Sequence, residues 1–498
     1  EDVPQIIHNQ NDDDEMFNDD TIVIESKSIN CNKSGELFQH DGDCGKFATC
    51  ENGRIKIYDC PPGLHFNLAR SLCDWPFLAN CDRRYRNNLK NMKTALMPVS
   101  DRKNDVVTKE VTLMKEEPYK VLCYYTSWAY LRQGEGKYSP EDIDGSLCTH
   151  IVYAFADLDE KELVIQPHNT KLDLETGFYE KIIKFRSRGV QVILAMGGWV
   201  DSKSDKYSRL VNDIPARRNF VRHVTEFLEY YGFNGLEVAW EYPKCWQANC
   251  KKGPDSDKAG FTLLMKELSF AFKPRQLSLS AMVSPSQNVI DQAYNVKSLA
   301  KYLDWVTVLS FDYSGYWDGA TGHVAPLYQS PEEQYPTVNT NSSINYWISS
   351  GMPAHKLIMG LALYSQTFML ADSNSHGLNA PTVGPGPPGP FTQSPGFMSY
   401  YETCSTVKGH EWTVVRDSLG SRGPYAYSGK FWLSYDDTGD IRRKCKSIKQ
   451  DGLGGAMVWS IDLDDYQNLC SCGPYPLLTA VNYELRNTTL NYEPQDCT

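Results

Sequence analysis

Phe233 to Pro243 reads Phe-Asn-Gly-Leu-Glu-Val-Ala-Trp-Glu-Tyr-Pro. It is an apolar run that carries carboxylates, and a carboxylate in a core is costly unless it has a partner or a task. Strand side chains alternate between faces, so Glu237, Ala239 and Glu241 would point the same way. Carboxylates so placed would need either buried partners or chemical work at the strand end. Ala239, between the two acids, can neither accept a hydrogen bond nor carry charge.

A repeated rhythm from Tyr119 onward supplies the frame for that strand. Short apolar runs, rich in β-branched and aromatic residues, lie at Val121–Tyr125, His150–Phe155, Val190–Met196, Phe233–Ala239, Leu277–Val283, Trp305–Ser310, Lys356–Leu361 and Gly455–Ser460. Amphipathic stretches such as Ile214–Tyr231 separate them, and eight such units predict a (β/α)8 TIM barrel of the α/β class over residues 118–486. The seventh and eighth runs lie too far apart for one crossover. Residues about 365–435, rich in Gly, Pro and Tyr, are therefore expected to form an inserted subdomain.

Residues 1–30 are acidic and poor in core formers, which predicts a disordered tail. Cys31, Cys44, Cys50, Cys60, Cys73 and Cys81 then crowd into residues 31–81. So short a segment cannot bury a stabilising core, so three disulfides are expected to hold it. No Cys-x-x-Cys pair occurs among them, which argues against zinc. Six Cys allow 15 connectivities, and spacing alone does not choose among them. Residues 82–117, polar and locally basic, read as a linker, and residues 487–498 as a C-terminal tail.

The net charge of −12 argues against nucleic acid or an anionic membrane as partner. Neutral polysaccharide needs no net charge, and 30 Tyr and 11 Trp offer the aromatic faces that suit it. Fifteen Cys point to an oxidising compartment. No apolar run reaches the roughly 18 residues that would span a membrane. The chain starts at Glu1 without an apolar signal region, so a mature secreted form is expected. The 10 His show no ligand spacing, so neither a metal nor a cofactor is expected.

The acid-bearing strand resembles the catalytic strand of glycoside hydrolase family 18, the chitinases, whose pattern is Asp-x-x-Asp-x-Asp-x-Glu. The four positions here hold Asn234, Glu237, Ala239 and Glu241. Tyr124-Tyr125-Thr126-Ser127-Trp128, Ala195-Met196-Gly197-Gly198-Trp199, Leu309-Ser310-Phe311-Asp312-Tyr313 and Gly454-Gly455-Ala456-Met457-Val458-Trp459 are similar to the family's other strand-end motifs, in order. Cys245-Trp-Gln-Ala-Asn-Cys250 and Cys470-Ser-Cys472-Gly-Pro-Tyr-Pro resemble multidomain arthropod chitinases in particular. The six-Cys block, with Cys73-Asp74-Trp75-Pro76, resembles the peritrophin-A type chitin-binding module.

The resemblance implies an α+β character for the insertion and substrate-assisted retention as the chemistry, an exception to the two-carboxylate scheme. A Glu protonates the leaving oxygen while the sugar's own acetamido oxygen attacks the anomeric carbon. The Asp two residues earlier grips the acetamido N–H and offsets the charge that develops. Glu241 would be the proton donor, and Ala239 removes that gripping Asp. Losing one preorganised charge-stabilising group costs about 2.7–4 kcal/mol, or ~10²–10³ in rate. Phe311 replaces the family's Tyr, and Asp312 is kept but stands alone. Glu237, one methylene longer than the family's residue, either substitutes for the lost Asp or joins a buried network with Ser310 or a water; its depth favours the network.

By the same resemblance, Tyr125, Trp128, Trp199, Trp317, Tyr364, Glu402 and Trp459 would bind sugar in the barrel. Trp75, with Tyr58 and Phe66, would do so in the small module unless these rings are simply its core. The family's Tyr-Gly-Arg appears as Tyr364-Ser365-Gln366, which removes an Arg contact. Implied disulfides are Cys31–Cys50, Cys44–Cys81, Cys60–Cys73, Cys123–Cys148, Cys245–Cys250 and Cys404–Cys470. Cys445, Cys472 and Cys497 remain, leaving one thiol that is either buried and free or a link to another chain. Asn32, Asn341 and Asn487 stand in glycosylation sequons. The expected protein is a secreted, monomeric, chitin-binding, chitinase-like glycoprotein whose hydrolysis is lost or weak, with a slow endochitinase as the alternative.

Overall fold

The structure, a computed structural model, describes residues 37–40, 43–51, 54–61, 64–68, 70–74, 76–79, 119–330, 338–486, 494 and 496–498. The acidic tail, the linker, Trp75, Cys31, Cys81, Asn32 and Asn487 lie outside the described residues. The chain divides into two compact units, Glu1–Arg102 and Lys103–Thr498.

In the first unit, β1 (Leu37–Gln39), β2 (Lys46–Glu51) and β3 (Arg54–Asp59) form an antiparallel sheet. A hairpin of β4 (His65–Asn67) and β5 (Leu72–Asp74) accompanies it. Phe47 stacks on Phe66 at 4.8 Å and on Tyr58 at 5.7 Å. Phe66 is buried, so it belongs to this small core and not to a sugar-facing surface. Cys60–Cys73 is formed. Cys44 and Cys50 are also disulfide-bonded, and their expected partners are outside the described residues.

In the second unit, β6 (Lys120–Thr126), β7 (His150–Leu158), β9 (Gln191–Gly197), β10 (Gly235–Ala239), β11 (Ser278–Val283), β12 (Trp305–Val308) and β13 (Leu357–Ala362) pair in parallel, with β8 (Ile165–Pro167) added antiparallel to β7. β14 (Tyr364–Leu370), β15 (Thr382–Pro385), β16 (Phe397–Ser399), β17 (Thr413–Val415), β18 (Tyr425–Ser428) and β19 (Phe431–Ser434) make a separate antiparallel sheet, joined by the helix Tyr400–Val407. This is the α+β insertion. β20 (Gly455–Trp459) then pairs with both β13 and β6, and β6 with β7, so the eight-stranded parallel barrel is closed.

Local sequence explains the regularity. The helix Ile214–Tyr231 starts where the Asp213 carboxylate accepts from the Ala216 N–H at 2.7 Å, and it ends at Gly232 with φ 84°. Its apolar residues Phe220, Val224, Phe227 and Leu228 recur at helical spacing and are all buried. No described helix is long and apolar enough to cross a membrane.

Cys123–Cys148, Cys245–Cys250 and Cys404–Cys470 are formed, and so is Cys472–Cys497. The leftover thiol is thus Cys445, buried in the helix Thr438–Gln450, where burial pushes its pKa up. Burial excludes it from bridging chains. Two described residues of the segment 487–498 have partners in the second unit. Besides Cys497, Asp496 pairs with Arg416 at 2.7 Å.

Candidate active site

β10 is buried at all five positions, with its carboxyl end at the rim where barrel enzymes place their chemistry. Gly197 and Gly198 let its neighbours approach. A side chain at Gly197 (φ 119°) would lie 2.6 Å from the Ala239 carbonyl oxygen, and one at Gly198 (φ 89°) would lie 2.7 Å from the Phe155 ring. Gly198 N–H instead donates to that carbonyl at 2.8 Å. The Gly-Gly pair thereby fixes the strand end below Glu241, whose own N–H donates to Ser202 Oγ at 2.9 Å.

Glu237 is fully buried beneath Ala239. Its Oε1 accepts from Thr307 Oγ1 at 2.7 Å and Ser280 Oγ at 3.1 Å. The expected partner Ser310 is not involved; its hydroxyl donates to the Gly360 carbonyl at 2.9 Å. Glu237 Oε2 meets no partner at hydrogen-bond geometry among the described residues, although the Trp305 indole N–H is near enough to lower the pKa of the group. Burial pushes the Glu237 pKa up to about 7 against these hydroxyl bonds. Glu241, barely exposed, is pushed up to about 8, first by burial and then by the charge of Asp312. A carboxyl at that value holds its proton at neutral pH, as a proton donor must.

Asp312 does not stand alone. Its Oδ1 accepts from Tyr364 Oη and from Gln366 Nε2, both at 2.8 Å. Burial raises its pKa and these two donors lower it. Gln366, read from sequence only as a lost Arg, thus takes a defined place in the acid cluster. Phe311 is buried with its ring 6.0 Å from that of Tyr364, and it offers no polar atom there.

Aromatic rings run across this end of the barrel. Trp459 lies 5.5 Å from Tyr124 and 5.9 Å from Phe155, and Phe155 stacks on Trp128 at 6.0 Å. Trp459 is partly buried, whereas Trp128, Trp199 and Trp317 are 37%, 49% and 56% exposed. Phe155 was not singled out from sequence, although it closes the second apolar run and Trp459 stands next to last in the eighth; that similar position was the available signal.

Two assigned residues are elsewhere. Tyr125 is buried, packed against Tyr153 at 5.5 Å and Phe178 at 6.3 Å in the helical layer. Strand alternation turns its neighbour Tyr124 toward Trp459 instead. Glu402 is buried as the third residue of the helix Tyr400–Val407 and forms a capping box with Ser399. Its carboxylate also accepts from the N–H groups of Phe391 and Thr392 at 2.7 and 2.9 Å and from Thr392 Oγ1 at 2.8 Å. That carboxylate organises the insertion and has no oxygen left for sugar.

The raised acids make stability depend on pH. A carboxyl whose folded value is raised stabilises the fold fully below its ordinary value, and the contribution is lost as pH rises toward the folded value. For Glu237 that window runs from 4.5 to about 7. The melting temperature is expected to fall across it, and to fall less steeply in Glu237→Gln. Calorimetry showing identical slopes would refute the assignment.

Comparison with known proteins agrees with this architecture. The family model for glycosyl hydrolases family 18 matches residues 120–464, and that of the chitin binding Peritrophin-A domain matches residues 31–81. The chain is 44% identical over 478 residues to Probable chitinase 10 of Drosophila melanogaster, covering 93% of this chain but only 21% of that protein. Catalytic domain 2 of the Ostrinia furnacalis Group II chitinase is similar at 50% identity and a TM-score of 0.75, over 77% of this chain and 99% of that one. Human YKL-39, described as a pseudo-chitinase with retained chitooligosaccharide binding properties, is similar at 35% identity and a TM-score of 0.68, over 74% of this chain and 100% of that one. The chain belongs to glycosyl hydrolases family 18 and carries a peritrophin-A chitin-binding domain before its barrel.

Proposed function

We propose that this chain is an extracellular chitin-binding protein whose barrel holds chitooligosaccharides and hydrolyses them weakly or not at all. The observation that carries the reading is the fully buried methyl of Ala239 between two acids. Substrate-assisted cleavage needs an acceptor there for the acetamido N–H, and a methyl cannot orient that group or offset its positive charge. Phe311 removes a second polar contact at the same place. The binding surface is better kept: Trp459, Phe155 and Trp128 form a continuous run of rings, and large flat rings suit hexose faces. YKL-39 gives a precedent for binding retained without hydrolysis.

One observation favours a second reading, a slow endochitinase. Glu241 keeps a raised pKa of about 8, so the proton needed for the leaving group is in place. A chitin-oligomer turnover assay beside a pull-down on chitin beads separates the two. Bead binding with turnover at the uncatalysed background is expected. Turnover that disappears in Glu241→Gln would reject the proposal in favour of the slow enzyme.

A further inference from the structure

Beside the acid strand lies an open cavity of about 520 Å³ that the aromatic run does not account for. Gln247, Asn249, Asn288 and Gln292 line it, with Lys251 and the Cys250 sulfur. Its two walls are the loop after β10, closed by Cys245–Cys250, and one side of the helix Gln287–Ala293, which follows β11. Both walls leave the carboxyl ends of adjacent barrel strands, so the cavity sits on the same rim as Glu241.

One residue joins it to the acid site. Gln247 N–H donates to the Glu241 carbonyl oxygen at 2.7 Å, and its side-chain amide donates to the Trp199 carbonyl oxygen at 3.1 Å. Gln247 thus ties the cavity wall to the backbone at both Glu241 and Trp199, and the Trp199 side chain is half exposed. The loop is held in this shape by backbone that few side chains adopt, with φ of 61° at Lys244, 49° at Gln247 and 61° at Ala248. A side-chain amide on each wall is already oriented: Asn249 Oδ1 accepts from Lys251 N–H at 3.0 Å, and Gln292 Nε2 donates to Asn288 Oδ1 at 2.8 Å. That leaves Asn249 Nδ2, Lys251 Nζ and Gln292 Oε1 without a hydrogen bond among the described residues. They offer two donors and one acceptor.

We propose that this cavity is an accessory sugar site that takes the units of an N-acetylated oligosaccharide extending past Trp199. Amide donors and acceptors match hydroxyl and acetamido groups, which are neutral and need both kinds of partner. The ammonium group of Lys251, with that of Lys252 donating to Gln247 Oε1 at 3.3 Å, admits a neutral sugar and disfavours a deacetylated, cationic one. The site rests on the proposed oligosaccharide-binding function and extends it to chain length.

Titration calorimetry on the full chain with chitotetraose and chitohexaose tests it. Hexamer is expected to bind about tenfold more tightly than tetramer, the gain of one or two net hydrogen bonds. In Asn249→Asp with Gln292→Ala, the Asp keeps the acceptor for Lys251 N–H while the free donor and acceptor are removed. This variant is expected to bind hexamer no better than tetramer, with tetramer affinity and melting temperature unchanged. Hexamer preference retained in the variant, or absent from the parent chain while tetramer still binds, overturns the accessory site alone. Failure to bind either oligomer overturns the binding function on which it rests. The small module is identical in both proteins, so the difference between them reads the cavity.

Discussion

Placing a carboxylate at position 239 and a hydroxyl at position 311 is expected to raise chitin-oligomer turnover by about 10²–10³-fold. That is the range lost when one preorganised charge-stabilising group is removed. Ala239→Asp restores the acceptor for the acetamido N–H, and Phe311→Tyr restores a hydroxyl at the same place. Glu241, the proposed proton donor, needs no repair, since burial and the charge of Asp312 push its pKa up to about 8. Glu241→Gln in that background is expected to return turnover to its starting level. The measurement is product release from chitopentaose, followed over hours for the parent chain and minutes for the double variant. A folded double variant with no gain would mean that the missing groups are not what limits this barrel.

Trp459→Ala has the second large effect, on binding. Trp459 sits at the end of β20 with one side packed on Tyr124 and Phe155, an anchor whose geometry is already set before sugar arrives. Truncating such a buried aromatic anchor costs about 2–4 kcal/mol of affinity. That corresponds to roughly 30- to 1,000-fold in Kd. Titration of the full chain with chitotetraose is expected to lose its cleft site while the small module still retains the protein on chitin beads. Unchanged tetramer binding by the variant would mean that the aromatic run is packing and nothing more.

The frame was largely legible because it depends on periodicity. Each apolar run became a strand within a few residues of its sequence bounds, and the helix Ile214–Tyr231 was fixed by Asp213 before it and Gly232 after it. What the sequence hid was direction and partnership. Tyr124 and Tyr125 are adjacent and chemically alike, and only strand register decides that the first meets Trp459 while the second enters the helical layer. Glu402 follows a motif of the cleft, yet its position three residues after Ser399 makes it a capping carboxylate, a pattern that was there to be read. The Asp312 cluster could not be read, because Tyr364 and Gln366 are more than 50 residues away and meet it only through the closed barrel. Glu237 followed the reasoning in kind though not in partner: depth buried it, and Thr307 and Ser280 from the next two strands, not Ser310, hold it.

The central claim is that no group at position 239 grips the acetamide of a bound sugar. A crystal soaked with penta-N-acetylchitopentaose tests this most directly. The expected result is an intact oligosaccharide lying on Trp459, its acetamido N–H facing the Ala239 methyl with no carboxylate in reach. Cleaved fragments, or Glu237 swung upward with Oε2 bonded to that N–H, would contradict it.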